Sequence, residues 1–170
     1  MWNPRRSRIS WGVNDWKVVR HRRIQWHGRV SDMRRLVTGV DAAGRSCVIE
    51  ETEFSTPASA PPMQLIYQTM STPPVRPPGS GAHLNLEVPP GTVRWMLVQF
   101  QPGQRSRPHH TDTIDFDTII FGGVDILLDD GPHHLGPGDC VLVMGVDHAW
   151  LAGPEGCTSS VVVIGTPPRD

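Results

Sequence analysis

The stretch GQRSRPHHTDTIDFDTIIFG, residues 103–122, decides the reading of this chain. Side chains of an extended strand alternate between two faces, so His109, Thr111 and Asp115 project from one side. His110, Asp112 and Ile114 project from the other. A second stretch, GDCVLVMGVDHAWLA at residues 138–152, puts His148, Trp150 and Ala152 on one face by the same rule. Two imidazoles and a carboxylate meeting inside a small β-protein make a metal site or an acid–base site.

The rest of the chain supports a β reading. Seventeen Pro and seventeen Gly punctuate it, and no window between them keeps an apolar 3.6-residue period. The strand candidates are 34–38, 46–53, 63–70, 93–101, 114–121, 124–128, 140–144, 149–151 and 159–164, rich in β-branched and aromatic residues. Asp130–Gly131 reads as a hairpin turn. Two Pro-rich loops, 55–62 and 71–81, cannot hold ladder hydrogen bonds and should run over the surface, the second across a barrel mouth. Many short strands with frequent turns imply an all-β sandwich or barrel. The expected organisation is an N-terminal extension at 1–32, strands and Pro-rich loops at 33–82, and a compact core at 83–170.

Composition narrows the class. No run of 18 apolar residues is present and no apolar segment follows Arg5–Arg6, so neither a membrane span nor an export signal is expected. Cys47, Cys140 and Cys157 are widely spaced and form no C-x-x-C pair, which reads as reduced thiols in the cytoplasm, with Cys140 a core residue. The net charge of −1 hides an asymmetry between a basic arm, residues 1–32, and an acidic body. The arm holds Trp2, Trp11, Trp16 and Trp26 without a clean period, and Met33 opens a well-patterned sequence. We read the arm as an over-extension, an edge cover or, last, a nucleic-acid tail; nucleic acid is not the expected partner. Neither a G-x-S-x-G elbow nor a G-x-x-x-x-G-K-[ST] loop occurs, which argues against hydrolase and nucleotide-binding readings.

The two stretches together resemble the cupin superfamily. Its first motif runs Gly, five residues, His-x-His, three or four residues, Glu, six residues, Gly. Here the matching positions are Gly103, His109, Thr111, Asp115 and Gly122, with Thr for the second histidine and Asp for the glutamate. The second motif matches at Gly138, Asp139 and His148, with Ala152 where an Asn is usual. MRRLVTGVDAAGRS, H-x-T-D-T-I-D-F, DILLDDG and HAW are similar to a subgroup of small single-cupin proteins of bacteria and fungi. The resemblance covers residues 33–165 and implies a double-stranded β-helix, a cupin jelly-roll barrel, usually homodimeric.

It also implies a divalent metal (Fe, Mn, Zn or Ni) held by His109, Asp115 and His148, Thr111 being a poor ligand. The alternative is a hydrogen-bonded polar cluster of the same residues. His148 and Asp115 are the candidate catalytic residues, either of them the general base where no metal binds. Thr111, Trp95, Phe121 and Trp150, with Met96, are candidates for the wall of a substrate pocket. Asp117 shares the parity of Asp115, and two close carboxylates raise one pKa and supply an acid and a base. His110 should face away, and His133 and His134 should be solvated; His83, His21 and His27 carry no signal. The expected function is binding of a small oxygenated or aromatic metabolite. Metal-dependent lyase, isomerase, dehydratase or oxygenase chemistry stands beside a non-catalytic, metal-free sensor as the alternative.

Overall fold

A computed structural model describes residues 33–54, 63, 65–68 and 81–168. The basic arm at 1–32, the loop at 55–62 and the second Pro-rich loop up to residue 80 lie outside the described residues. Within them every regular element is a strand: β1 Met33–Val40, β2 Ser46–Phe54, β3 Ala82–His83, β4 Val93–Phe100, β5 His109–His110, β6 Thr113–Leu128, β7 Gly131–Leu135, β8 Cys140–Val143 and β9 Ala149–Gly165. The main sheet has the order β2-β1-β8-β6-β9-β4 with β7 added on β6, and β3 pairs with β5. The fold is all-β. No helix among the described residues is long and apolar enough to cross a membrane.

The two long strands give the sheet its shape. β6 pairs with β8 and β9 over its first half, then with β7 and β9 over its second. Its register slips between Ile119 and Phe121 and again between Gly122 and Val124. Bulges bend a strand and increase its twist, so β6 turns a corner without ending. β9 turns with it, because its pairing jumps from Gly122↔Cys157 to Val124↔Ala152 and loops out residues 153–156. Pro154 sits in that excursion, where no ladder N–H is needed. The segments 114–121 and 124–128 are therefore one strand, and so are 149–151 and 159–164. The bent sheet wraps around an interior cavity as a double-stranded β-helix.

Short-range chemistry fixes the ends. The Asp41 carboxylate accepts the backbone N–H groups of Ala43 and Arg45 at 2.8 and 2.9 Å, closing the β1–β2 turn. Asp129 and Asp130 form the β6–β7 hairpin loop, with Leu128 opposite Gly131. β8, read CVLV, is buried along its whole length between β1 and β6, as an uninterrupted apolar run requires. Cys140 is buried there as expected. Leu36, Ile126, Leu135, Val141 and Val143 make the centre of the largest apolar cluster. The expected strand at 63–70 does not form at the residues described there, 63 and 65–68. Tyr67 instead packs on the outer cluster of Val37, Ile114, Leu142 and Met144.

Candidate functional site

A backbone bridge sets the two histidines side by side. His109 N donates to His148 O and His148 N donates to His109 O, both at 2.9 Å. Reciprocal bonding of this kind puts both side chains on one face, and the ring centroids lie 4.3 Å apart. His109 Nδ1 lies 2.8 Å from Arg107 O and His148 Nδ1 lies 2.9 Å from Val146 O. A carbonyl can only accept, so each Nδ1 carries a proton and donates it there. Trp150 stands edge-on to His148, with centroids 5.7 Å apart and planes at 80°.

β6 supplies the acidic side. Thr113 Oγ1 lies 2.8 Å from Thr111 Oγ1 and 2.5 Å from Asp115 Oδ1. The Thr113 hydroxyl thus stands between Thr111 and Asp115, within hydrogen-bond distance of both. Asp115 and Asp117 are both buried, at 8% and 6% exposure. Burial pushes the Asp115 carboxyl up to about 6, against the opposing pull of the Thr113 hydrogen bond. Asp117 is held well above the usual carboxylate range by burial first and by the charge of Asp115 second.

These groups share one cavity of 290 Å³ with mostly apolar walls. His109, Thr111, Asp115, His148 and Trp150 all line it, as alternation on their strands implied, and Asp117 joins them. Trp95 and Phe121 do not. Trp95 is 78% exposed, because β4 turns Met96, Val98 and Phe100 inward and adjacent residues take opposite faces. Its Nε1 donates to Ser160 Oγ at 2.6 Å. Phe121 has the parity of Asp115, but the bulge at Ile119/Phe121 breaks the alternation and leaves it 51% exposed. The next inward side chain is Val124. Ser159, Val161 and Val163 of β9 also reach the cavity. The sequence reading did not select them, although alternate residues of an apolar strand are the right signal.

His110 faces elsewhere, as expected, with Nδ1 2.8 Å from Asp147 Oδ1. His83 lies 3.1 Å from Asp112 beside it. His133 and His134 lie on β7 and pair with Asp130 and Asp125 near the surface.

A metal does not fit the residues present. The imidazoles are oriented as ligands would be, with Nδ1 held by backbone carbonyls. Among the described residues, however, no three His, Cys, Asp or Glu side chains gather closely enough to hold an ion. The expected set of His109, Asp115 and His148 therefore does not close. Asp115 is one methylene shorter than glutamate, is bonded to Thr113, and carries a raised pKa that opposes the anionic form a ligand needs. Thr111 stands where a third imidazole would complete the set.

The Asp115 shift has a stability consequence. Its folded-state pKa is above the unfolded value of 3.8, so the folded state holds the proton more tightly. That contribution is fully present below about pH 4 and is lost as pH rises through about 6, amounting to about 3 kcal/mol. Asp115→Asn should therefore gain stability relative to wild type as pH rises from about 4 to about 7. Urea denaturation of both proteins across that range checks this; parallel curves would show that Asp115 titrates normally.

No family model matches the chain. It is 33% identical over 66 residues to phomopsin biosynthesis cluster protein C' of Diaporthe leptostromiformis, over 38% of this chain and 34% of that protein. The chain spans about a third of the length of the curated relatives it matches. Among solved structures it is similar to a sugar phosphate isomerase of the cupin superfamily from Silicibacter pomeroyi, with 27% identity and a TM-score of 0.38, over 44% of this chain and 52% of that one. An RmlC-like cupin family protein with a double-stranded β-helix fold from Methanocaldococcus jannaschii has 20% identity and a TM-score of 0.39, over 46% of this chain and 74% of that one.

Proposed function

We propose that this chain is a cupin-type barrel that binds a small oxygenated or aromatic metabolite and carries out metal-independent acid–base chemistry on it, of the lyase, isomerase or dehydratase kind. One observation carries the reading: two imidazoles and two buried carboxyls line the same cavity as apolar walls. His148 is the base. Its Nδ1–H is fixed on Val146 O, which orients the ring, and at 3% exposure it lies away from bulk water. Asp115, with a pKa raised to about 6, is matched to giving and taking a proton near neutral pH. His109 holds His148 in place through the reciprocal backbone bridge. The relative from the phomopsin biosynthesis cluster agrees with a metabolite as ligand.

The second reading is a sensor that binds the same molecule and leaves it unchanged. The apolar majority of the cavity wall favours it, because binding pockets need only a few polar groups for orientation. Screening small oxygenated metabolites by ligand-observed NMR, with mass spectrometry for turnover, separates the two. Turnover by wild type should fall about 10²- to 10⁴-fold in His148→Asn and in Asp115→Asn. Binding without any chemical change would establish the sensor instead. An absence of binding across the set would defeat both readings.

A further inference from the structure

One carboxyl of the cavity has no structural explanation. Asp117 lies on β6 opposite Val161 of β9 and Val141 of β8. It is 6% exposed and lines the cavity, and among the described residues its carboxyl makes no hydrogen bond or ion pair. Asp115, two residues earlier on the same face, has Thr113; Asp117 has only the repulsion of Asp115. Buried polar groups are satisfied in nearly every case, by protein, water or ligand. A carboxyl left open toward a cavity is therefore a group waiting for an occupant.

The wall says what kind of occupant. Among the described residues, no Lys or Arg lines the cavity. The buried Arg35 is turned to Glu50, Thr52 and the Ile66 carbonyl, and Arg94 to the carbonyls of Leu86 and Glu87. Among the described residues, the titratable groups that face the space beside Asp117 are His109, Asp115, His148 and Cys157. Both imidazoles spend their Nδ1–H on backbone carbonyls. A phosphate or carboxylate entering this space would be desolvated beside two acids, with no Lys or Arg among the described lining residues to meet it. An apolar body suits Met96, Val98, Val161 and Val163.

We propose that Asp117 is the specificity-determining group of this cavity, selecting an uncharged, mostly apolar molecule that offers it an acceptor oxygen and rejecting anions; this rests on the cavity being the ligand site. A protonated carboxyl donates, so a ketone, ether or hydroxyl oxygen is the complement. Burial and the neighbouring Asp115 both favour that protonated form.

Three probes built on one benzene ring test this at neutral pH by titration calorimetry: acetophenone, benzoate and benzylamine. Acetophenone should bind at least about tenfold tighter than benzoate, the worth of one unpaired charge at its mildest. Asp117→Asn retains an N–H donor and should keep acetophenone affinity within about threefold, whereas Asp117→Leu removes the donor and should lower it about tenfold. Benzoate binding as tightly as acetophenone, benzylamine binding tightest, or Asp117→Leu matching wild type would each overturn the proposal while leaving the cavity as the ligand site. Failure of all three probes to bind wild type at about millimolar concentration would overturn the binding reading as well. If Asp117→Leu does not fold, wild type and Asp117→Asn against the three probes decide the matter.

Discussion

Gly122→Ala should cost more than about 3 kcal/mol of folding stability, among the largest effects of any single methyl group added to this chain. Two independent strains meet at that residue. Its φ of 73° lies in the left-handed region, where a Cβ costs about 1–2 kcal/mol. A Cβ would also stand 2.0 Å from Gly156 O and 2.9 Å from the Gly156 carbonyl carbon. The obstacle is backbone, so no rotamer can relieve it. Gly156 cannot retreat easily, because a Cβ built on it would itself lie 2.6 Å from Phe100 O. β6, β9 and β4 thus meet at the corner with glycine backbones in contact. The control is Gly136→Ala, where nothing lies within 4 Å and the change should stay within about 0.5 kcal/mol. Equal urea midpoints for the two variants would show that the corner is not close-packed as described.

The same corner explains how far the sequence could be read. Alternation along GQRSRPHHTDTIDFDTIIFG put His109, Thr111 and Asp115 on one face, and all three line the cavity. It worked there because strand residues before the bulge keep period two. It failed at Phe121, one residue before Gly122, because a bulge inserts a residue and reverses the parity of the strand beyond it. β4 failed differently. Val93, Trp95 and Leu97 are large and apolar on the outer face, and Met96, Val98 and Phe100 are large and apolar on the inner one. Such a strand carries no internal mark of which side is in, and Trp95 drew the choice by size. The joining of 114–121 to 124–128 was hidden as well, since two glycines between apolar runs look like a turn. The fold class needed only the pattern. Whether three side chains converge to ligand distance is set by sheet curvature, which alternation does not encode.

That gap between facing inward and converging leads to the second large effect. Thr111→His should give the cavity a third imidazole where the described residues gather no three-ligand set, raising Zn(II) affinity on the order of a thousandfold. His109 and His148 are each fixed through Nδ1 to a backbone carbonyl, with rings 4.3 Å apart. Three protein ligands are the usual minimum for a catalytic zinc site, and two imidazoles fall one short. Thr111 is buried, lines the same cavity and lies two residues from His109 on its face. The imidazole is larger than the side chain it replaces, and overpacking costs about 1–3 kcal/mol in a filled core; a 290 Å³ cavity beside it should hold the cost to the low end. Zn(II) titration calorimetry of wild type and variant at neutral pH reads the difference directly. Micromolar binding by wild type would show that His109, Asp115 and His148 converge after all. No binding by the variant would show that position 111, though it faces the cavity, does not aim at the histidine pair.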